Sequence, residues 1–135
     1  MVKFTASIES FDKADPVMDF TMCLLNSVTT GHILHLQSRS YSQHMALGAF
    51  YDGIGDLVDS FVEAFQGKYG LLTKYPATAE LMPNMNPIEY LEYLKEDVQT
   101  LRRANGFPQD SELQNEVDNI ANLINSTLYK LRFLA

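Results

Sequence analysis

The chain has no tryptophan, one cysteine, and ten lysine and arginine residues against seventeen aspartates and glutamates. A single cysteine excludes an internal disulfide and fits a reducing compartment. Set among Phe20, Met22, Leu24 and Leu25, Cys23 reads as a small buried hydrophobe. The net charge of −7 repels phosphate backbones. Arg102-Arg103, Lys130 and Arg132 are too thin a basic set to reverse that, so direct nucleic-acid binding by a monomer is disfavoured. No apolar run is long enough to cross a membrane, and the opening MVKFTASIESFDKADP lacks a signal-peptide core. A glycine-rich phosphate loop, a Ser/His/Asp order and a Cys-x-x-Cys pair are also missing, which removes the commonest enzyme signatures. The expectation is a soluble, cytoplasmic protein.

What is present is a globular composition, 46% hydrophobic and 11% aromatic over 135 residues. That predicts one domain over 1–135, with 1–14 as an N-terminal extension. Four apolar stripes at helical spacing follow. The first helix opens at Asp15-Pro16, a cap followed by proline, and carries Val17, Phe20, Leu24, Val28 and His35. The second opens at Ser40 or Ser42, carries Leu47, Ile54, Val58, Phe61 and Phe65, and ends at Gly67 or Gly70. The third opens at Asn86-Pro87, carries Ile88, Leu91, Leu94, Val98 and Leu101, and is expected to reach Gly106. The fourth opens at Asp110 or Ser111 and carries Leu113, Val117, Ile120, Leu123, Ile124, Leu128 and Leu131.

Short links join helices one to two and three to four, which predicts two antiparallel hairpins. The link between helices two and three, roughly nineteen residues, is long enough to traverse a bundle. The fold class expected is therefore all-α: a ferritin-like four-helix bundle with one long crossover. Met82 and Met85 in that crossover read as hydrophobic plugs, and Glu92 can pair with Lys95 on an exposed face. Tyr41, Phe50 and Tyr51 read as core or interface aromatics.

All three histidines, His32, His35 and His44, fall within thirteen consecutive positions around the first link. Each has an ordinary reading: His32 as an edge residue, His35 as a partner of a helix C-terminus, His44 as a surface residue of a first turn. On the second helix Asp52, Asp56, Asp59 and Glu63 share one stripe beside the core, with His44, Gly48 and Gly55 between the two faces. Such a stripe is ordinarily a solvated face. Here no Lys or Arg lies between Arg39 and Lys68, so the four acids lack cationic partners along the helix. A cation would relieve their repulsion, and imidazole with carboxylate suits iron, zinc or manganese better than calcium or magnesium.

The segment from Asp15 to Gly67 resembles the Dps-type miniferritins, the DNA-protection-during-starvation branch of the ferritin-like superfamily. In that family the first helix ends in a histidine and a Trp-Asn-x-Lys-Gly bend. The second opens with an aromatic, two residues and a histidine, and fifteen residues later comes Asp-x-x-x-Glu. HLQSRS stands for the bend, YSQH for the helix start, and DSFVE, from Asp59 to Glu63, lies fifteen and nineteen residues after His44.

The resemblance implies an iron site shared across a two-fold dimer. His35 (or His32) and His44 would come from one subunit, and Asp59 and Glu63 from its mate, with Asp52 and Asp56 as secondary candidates. His32 keeps the family's spacing of twelve to His44, whereas His35 keeps the bend pattern. It further implies oxidation of Fe²⁺ by oxygen or peroxide, and storage of the product in a homo-oligomeric shell, usually a dodecamer. Small acidic members of this type occur in phage genomes, which would place the chain in a host-cell cytoplasm. The chain departs from the pattern at Gly48, where the family has an acid, and at Leu36 and Ser40, where the bend has Trp and Gly. It has no lysine-rich tail. Helices three and four match only in length and position, and Glu112 and Glu116 have no histidine partner. These departures support an alternative: a ferritin-like structural or partner-binding oligomer without ferroxidase activity.

Overall fold

The computed structural model describes residues 15–135; the expected extension at 1–14 lies outside the described residues. Four helices follow one another: α1 (Pro16–Gln37), α2 (Tyr41–Tyr69), α3 (Pro87–Leu101) and α4 (Ser111–Phe133). The described residues include no strand.

The two proline starts form as their sequences dictate. Asp15 Oδ1 accepts the Val17 and Met18 backbone N–H groups at 3.0 and 3.3 Å. Asn86 Oδ1 does the same for Ile88 and Glu89 at 2.9 and 3.4 Å. Each cap satisfies two of the amide donors a helix start leaves over, and proline at the next position has no N–H to satisfy. For α2 the cap is Ser40, whose Oγ accepts the Gln43 N–H at 3.2 Å. This helix ends at Gly70, whose φ of 98° suits glycine.

Asp110 occupies the cap position of α4 without capping it. Its carboxylate instead accepts the Tyr69 hydroxyl at 2.7 Å and pairs with Lys68 at 2.5 Å. That pairing fastens the end of α2 to the start of α4, and Lys68 holds the half-buried Asp110 carboxyl below its ordinary range.

The third helix stops at Leu101, short of the expected Gly106. Arg103 and Ala104 donate to carbonyls three residues back, and Gly106, at φ 96°, reverses the chain. The reversal carries Phe107 into the core, 4% exposed, where it lies 5.1 Å from Phe20 and 5.7 Å from Phe61 between ring centroids. Burying a phenylalanine is worth roughly 1.5–3 kcal/mol, more than the few helical residues given up. The Gln109 and Gln114 amides then cap the Arg102 carbonyl at 2.9 and 3.2 Å.

α1 packs on α2 and α3, and α4 packs on α2 and α3. The ends fix the directions. The Pro16 ring lies against Gly106, so α1 starts where the α3–α4 turn lies. Lys68 and Asp110 put the end of α2 at that same pole. Ser40 and Asn86 line one small cleft with Lys130, at the other pole. Every packed neighbour is therefore antiparallel, and the diagonal pair α2 and α3 run parallel. Parallel neighbours in sequence need a connection spanning the bundle, which residues 70–86 supply. This segment is fastened on its way by the Met82 N–H donating to Thr30 Oγ1 at 3.4 Å.

The apolar stripes meet along the axis. Phe20, Leu24, Leu47, Ile54, Phe61, Leu91, Leu94, Leu113, Val117, Ile120 and Ile124 are wholly buried. Val28, Phe65, Ile88, Leu101 and Leu123 pack around them half-buried, as do the plugs Met82 and Met85. Glu92 pairs with Arg132 of α4 rather than with Lys95. Phe50 belongs to the core and Tyr51 borders it, whereas Tyr41 is exposed.

Candidate histidine site on the first hairpin

The turn between α1 and α2 is three residues, Ser38 to Ser40. It is too short to hold the two helix ends apart, so His35, in the last turn of α1, comes against His44, in the first turn of α2. Their rings stack with centroids 3.7 Å apart and planes 23° apart. His35 Nδ1 donates to the His44 carbonyl at 2.6 Å, and His44 Nδ1 donates to the His35 carbonyl at 3.0 Å.

A carbonyl oxygen can only accept, so both Nδ1 atoms carry hydrogen. In the neutral rings each Nε2 therefore keeps its lone pair. This is the arrangement by which metal-binding imidazoles are commonly oriented, with one nitrogen fixed by a backbone carbonyl and the other left to a ligand. The near-parallel planes set the two rings side by side rather than converging on one point. A stacked pair can offer one nitrogen to each of two neighbouring cations; chelating a single cation requires one ring to swing.

Gly48 makes the stack possible. A Cβ on Gly48 would stand 3.1 Å from both Cε1 and Nδ1 of His35, so the ring occupies the space a side chain would need. Gly31 similarly admits Phe50, whose ring would lie 3.0 Å from an added Cβ. Gly55 faces open space and plays no such part.

His32 is not in the pair. It is exposed and lies flat on Tyr51, centroids 4.2 Å apart and planes 12° apart, while Tyr51 meets His35 edge-on at 5.3 Å. Tyr51 thus joins the three imidazoles into one aromatic cluster, a role its sequence position does not reveal.

The carboxylates lie elsewhere in the same chain. Asp52, Asp56, Asp59 and Glu63 are all exposed along one face of α2, and no ion pair to them occurs among the described residues. At 1.5 Å per residue, Asp59 is about 22 Å along the helix from His44. Among the described residues no three His, Cys, Asp or Glu side chains of one chain gather where a metal ion could sit. A complete nitrogen and oxygen donor set around the pair would need acids from another copy.

The chain belongs to DUF5856, a family of unknown function whose model matches residues 35–131. The match begins at His35 and takes in His44, Asp52, Asp56, Asp59 and Glu63, and leaves out His32. No curated protein and no solved structure matches the chain.

Proposed function

We propose that the protein is a ferritin-like miniferritin that takes Fe²⁺ as its substrate at sites shared between two copies of the chain. His35 and His44 of one copy would supply nitrogen, and Asp59 and Glu63 of the other would supply oxygen. The observation that carries this reading is the reciprocal pair of Nδ1–H bonds, which leaves Nε2 of both imidazoles for a cation. A bundle whose parallel diagonal helices are joined by one long crossover agrees with ferritin-like connectivity. The spacing of Asp59 and Glu63 from His44, on an exposed stripe without cations, agrees with acids contributed in trans.

In this reading the imidazoles hold Fe²⁺, and the carboxylates favour the ferric product by their charge. Each Fe²⁺ gives one electron to oxygen or hydrogen peroxide. The exposed acids Asp52 and Asp56 would receive the ferric ions, and a homo-oligomeric shell would hold the mineral. Zinc and manganese suit the same donors and would compete.

One observation favours a second reading. At Gly48, where miniferritins carry an acid, the space is filled by the His35 ring, so no carboxylate fits without moving it. A bundle of this kind without ferroxidase activity would serve as an oligomeric structural or partner-binding protein. Aerobic addition of Fe²⁺ to the purified protein separates the two. The first predicts ferric absorbance faster than in His44→Ala and Glu63→Ala controls; absorbance equal to those controls supports the second.

A further inference from the structure

A second concavity lies between α1, α3 and the crossover. It encloses about 460 Å³, within the usual range of roughly 300–1,000 Å³ for small-molecule sites. Its apolar walls combine the thioethers of Met18, Met22 and Met82 and the rings of Tyr90 and Tyr93 with aliphatic surface from α3 and the crossover. Among the described residues its charged groups are all of one sign, Asp19, Glu80 and Asp97, with no Lys, Arg or His in the lining.

Asp97 is half-buried; the Cys23 thiol donates to its Oδ2 at 3.6 Å, and the Tyr93 hydroxyl is a second side-chain hydrogen-bond partner of the carboxylate. Neither a thiol nor a phenol carries a charge that would neutralise it. A half-buried carboxylate with no cationic partner among the described residues gains more from an arriving cation than a solvated one does. Burial first, and then the neighbouring Asp15, hold the Asp19 carboxyl above its ordinary range.

The lining discriminates among cations. A bare metal ion would use the carboxylates and leave the sulfur and ring surfaces wet. An ammonium on an apolar body uses both, with its charge beside Asp97 and its body against Met22, Met82 and the exposed Tyr93 ring.

We propose that this groove binds a small organic ammonium ion with an apolar or aromatic body. The site shares no residue with the histidine pair, so its fate and that of the iron reading are separate. The probe is 2-phenylethylammonium, titrated into the full chain by calorimetry and by NMR of the tyrosine rings, with 2-phenylethanol and 3-phenylpropionate as neutral and anionic counterparts. The expected result is binding of the ammonium alone, with Tyr90 and Tyr93 resonances moving and those of Tyr129 unmoved. Asp97→Asn, which keeps an acceptor for Cys23, should weaken binding at least about tenfold. Glu80→Gln should weaken it less, and His44→Ala should bind like the parent. Equal binding of the alcohol, an unchanged affinity in Asp97→Asn, or no shift at Tyr90 and Tyr93 would each overturn the proposal.

Discussion

His35 and His44 hold each other across a three-residue turn, each ring donating from Nδ1 to the other's backbone carbonyl. The first hairpin is therefore closed by the same two side chains that carry the candidate chemistry. Loss of either ring leaves a half-buried carbonyl without its side-chain donor. His44→Ala should cost about 1 kcal/mol of stability, and His35→Ala a similar amount, read from urea midpoints. Hydrogen exchange should quicken at residues 34–48 in both variants, with α4 unaffected. Equal protection in parent and variants would mean that the ring bonds do not hold the turn.

The glycines of α2 separate by what faces them. Gly55→Ala meets open space in a helix interior, so it should stabilise by about 0.5–1 kcal/mol. Gly48→Ala has the same helical gain but must push the His35 ring by a few tenths of an ångström. Its net gain should be smaller, and the ring resonances of His35 and His44 should shift in NMR spectra. If both substitutions stabilise equally and the histidine resonances stay fixed, Gly48 is not the seat of the ring.

Phe107 shows where sequence reading stops. The starts of α1 and α3 are legible because Asp-Pro and Asn-Pro are local signals acting through the next few backbone amides. The end of α3 is not, because Arg102, Arg103 and Ala104 are good helix formers. What ends the helix is Phe107 packing against the contacting pair Phe20 and Phe61, together with two glutamine amides from farther along the chain. Phe107→Ala should cost about 3–5 kcal/mol by thermal or chemical unfolding. A loss below about 1 kcal/mol would mean that the ring is not a core element.

The candidate site divides in the same way. Spacing along α2 is visible in sequence, so the offsets of Asp59 and Glu63 from His44 can be counted there; that they would serve one site is what the miniferritin resemblance implies. Which histidine meets His44 depends on the length of the turn, and what fills the Gly48 position depends on a ring from another helix. A helical wheel places a residue on a face without saying what lies opposite.

Cys23 is half-buried rather than a wholly buried hydrophobe, and its thiol is pushed up to about 12, first by burial and then by Asp97. An unfolded thiol ionises near 8.5. A folded value above the unfolded one gives stability that is intact below about pH 8.5 and lost as pH rises toward 12. Cys23→Ser, which keeps a donor for Asp97 and does not ionise in that range, should lose less stability than the parent over the same window. Iodoacetamide should also react slowly with the native protein and rapidly after unfolding. Parallel pH profiles for the two proteins, or fast labelling of the native state, would contradict this placement of the thiol.

The claim that two copies share each iron site is tested most directly by mixing two disabled chains. His44→Ala and Glu63→Ala proteins are each assayed for aerobic Fe²⁺ oxidation, then unfolded together, refolded and assayed again. In a two-fold dimer half of the mixed assemblies carry one chain of each kind, and one of their two sites has both His44 and Glu63 intact. The account predicts that each variant alone is nearly inactive and that the mixture recovers roughly a quarter of the parent rate. A mixture no more active than its components would contradict it.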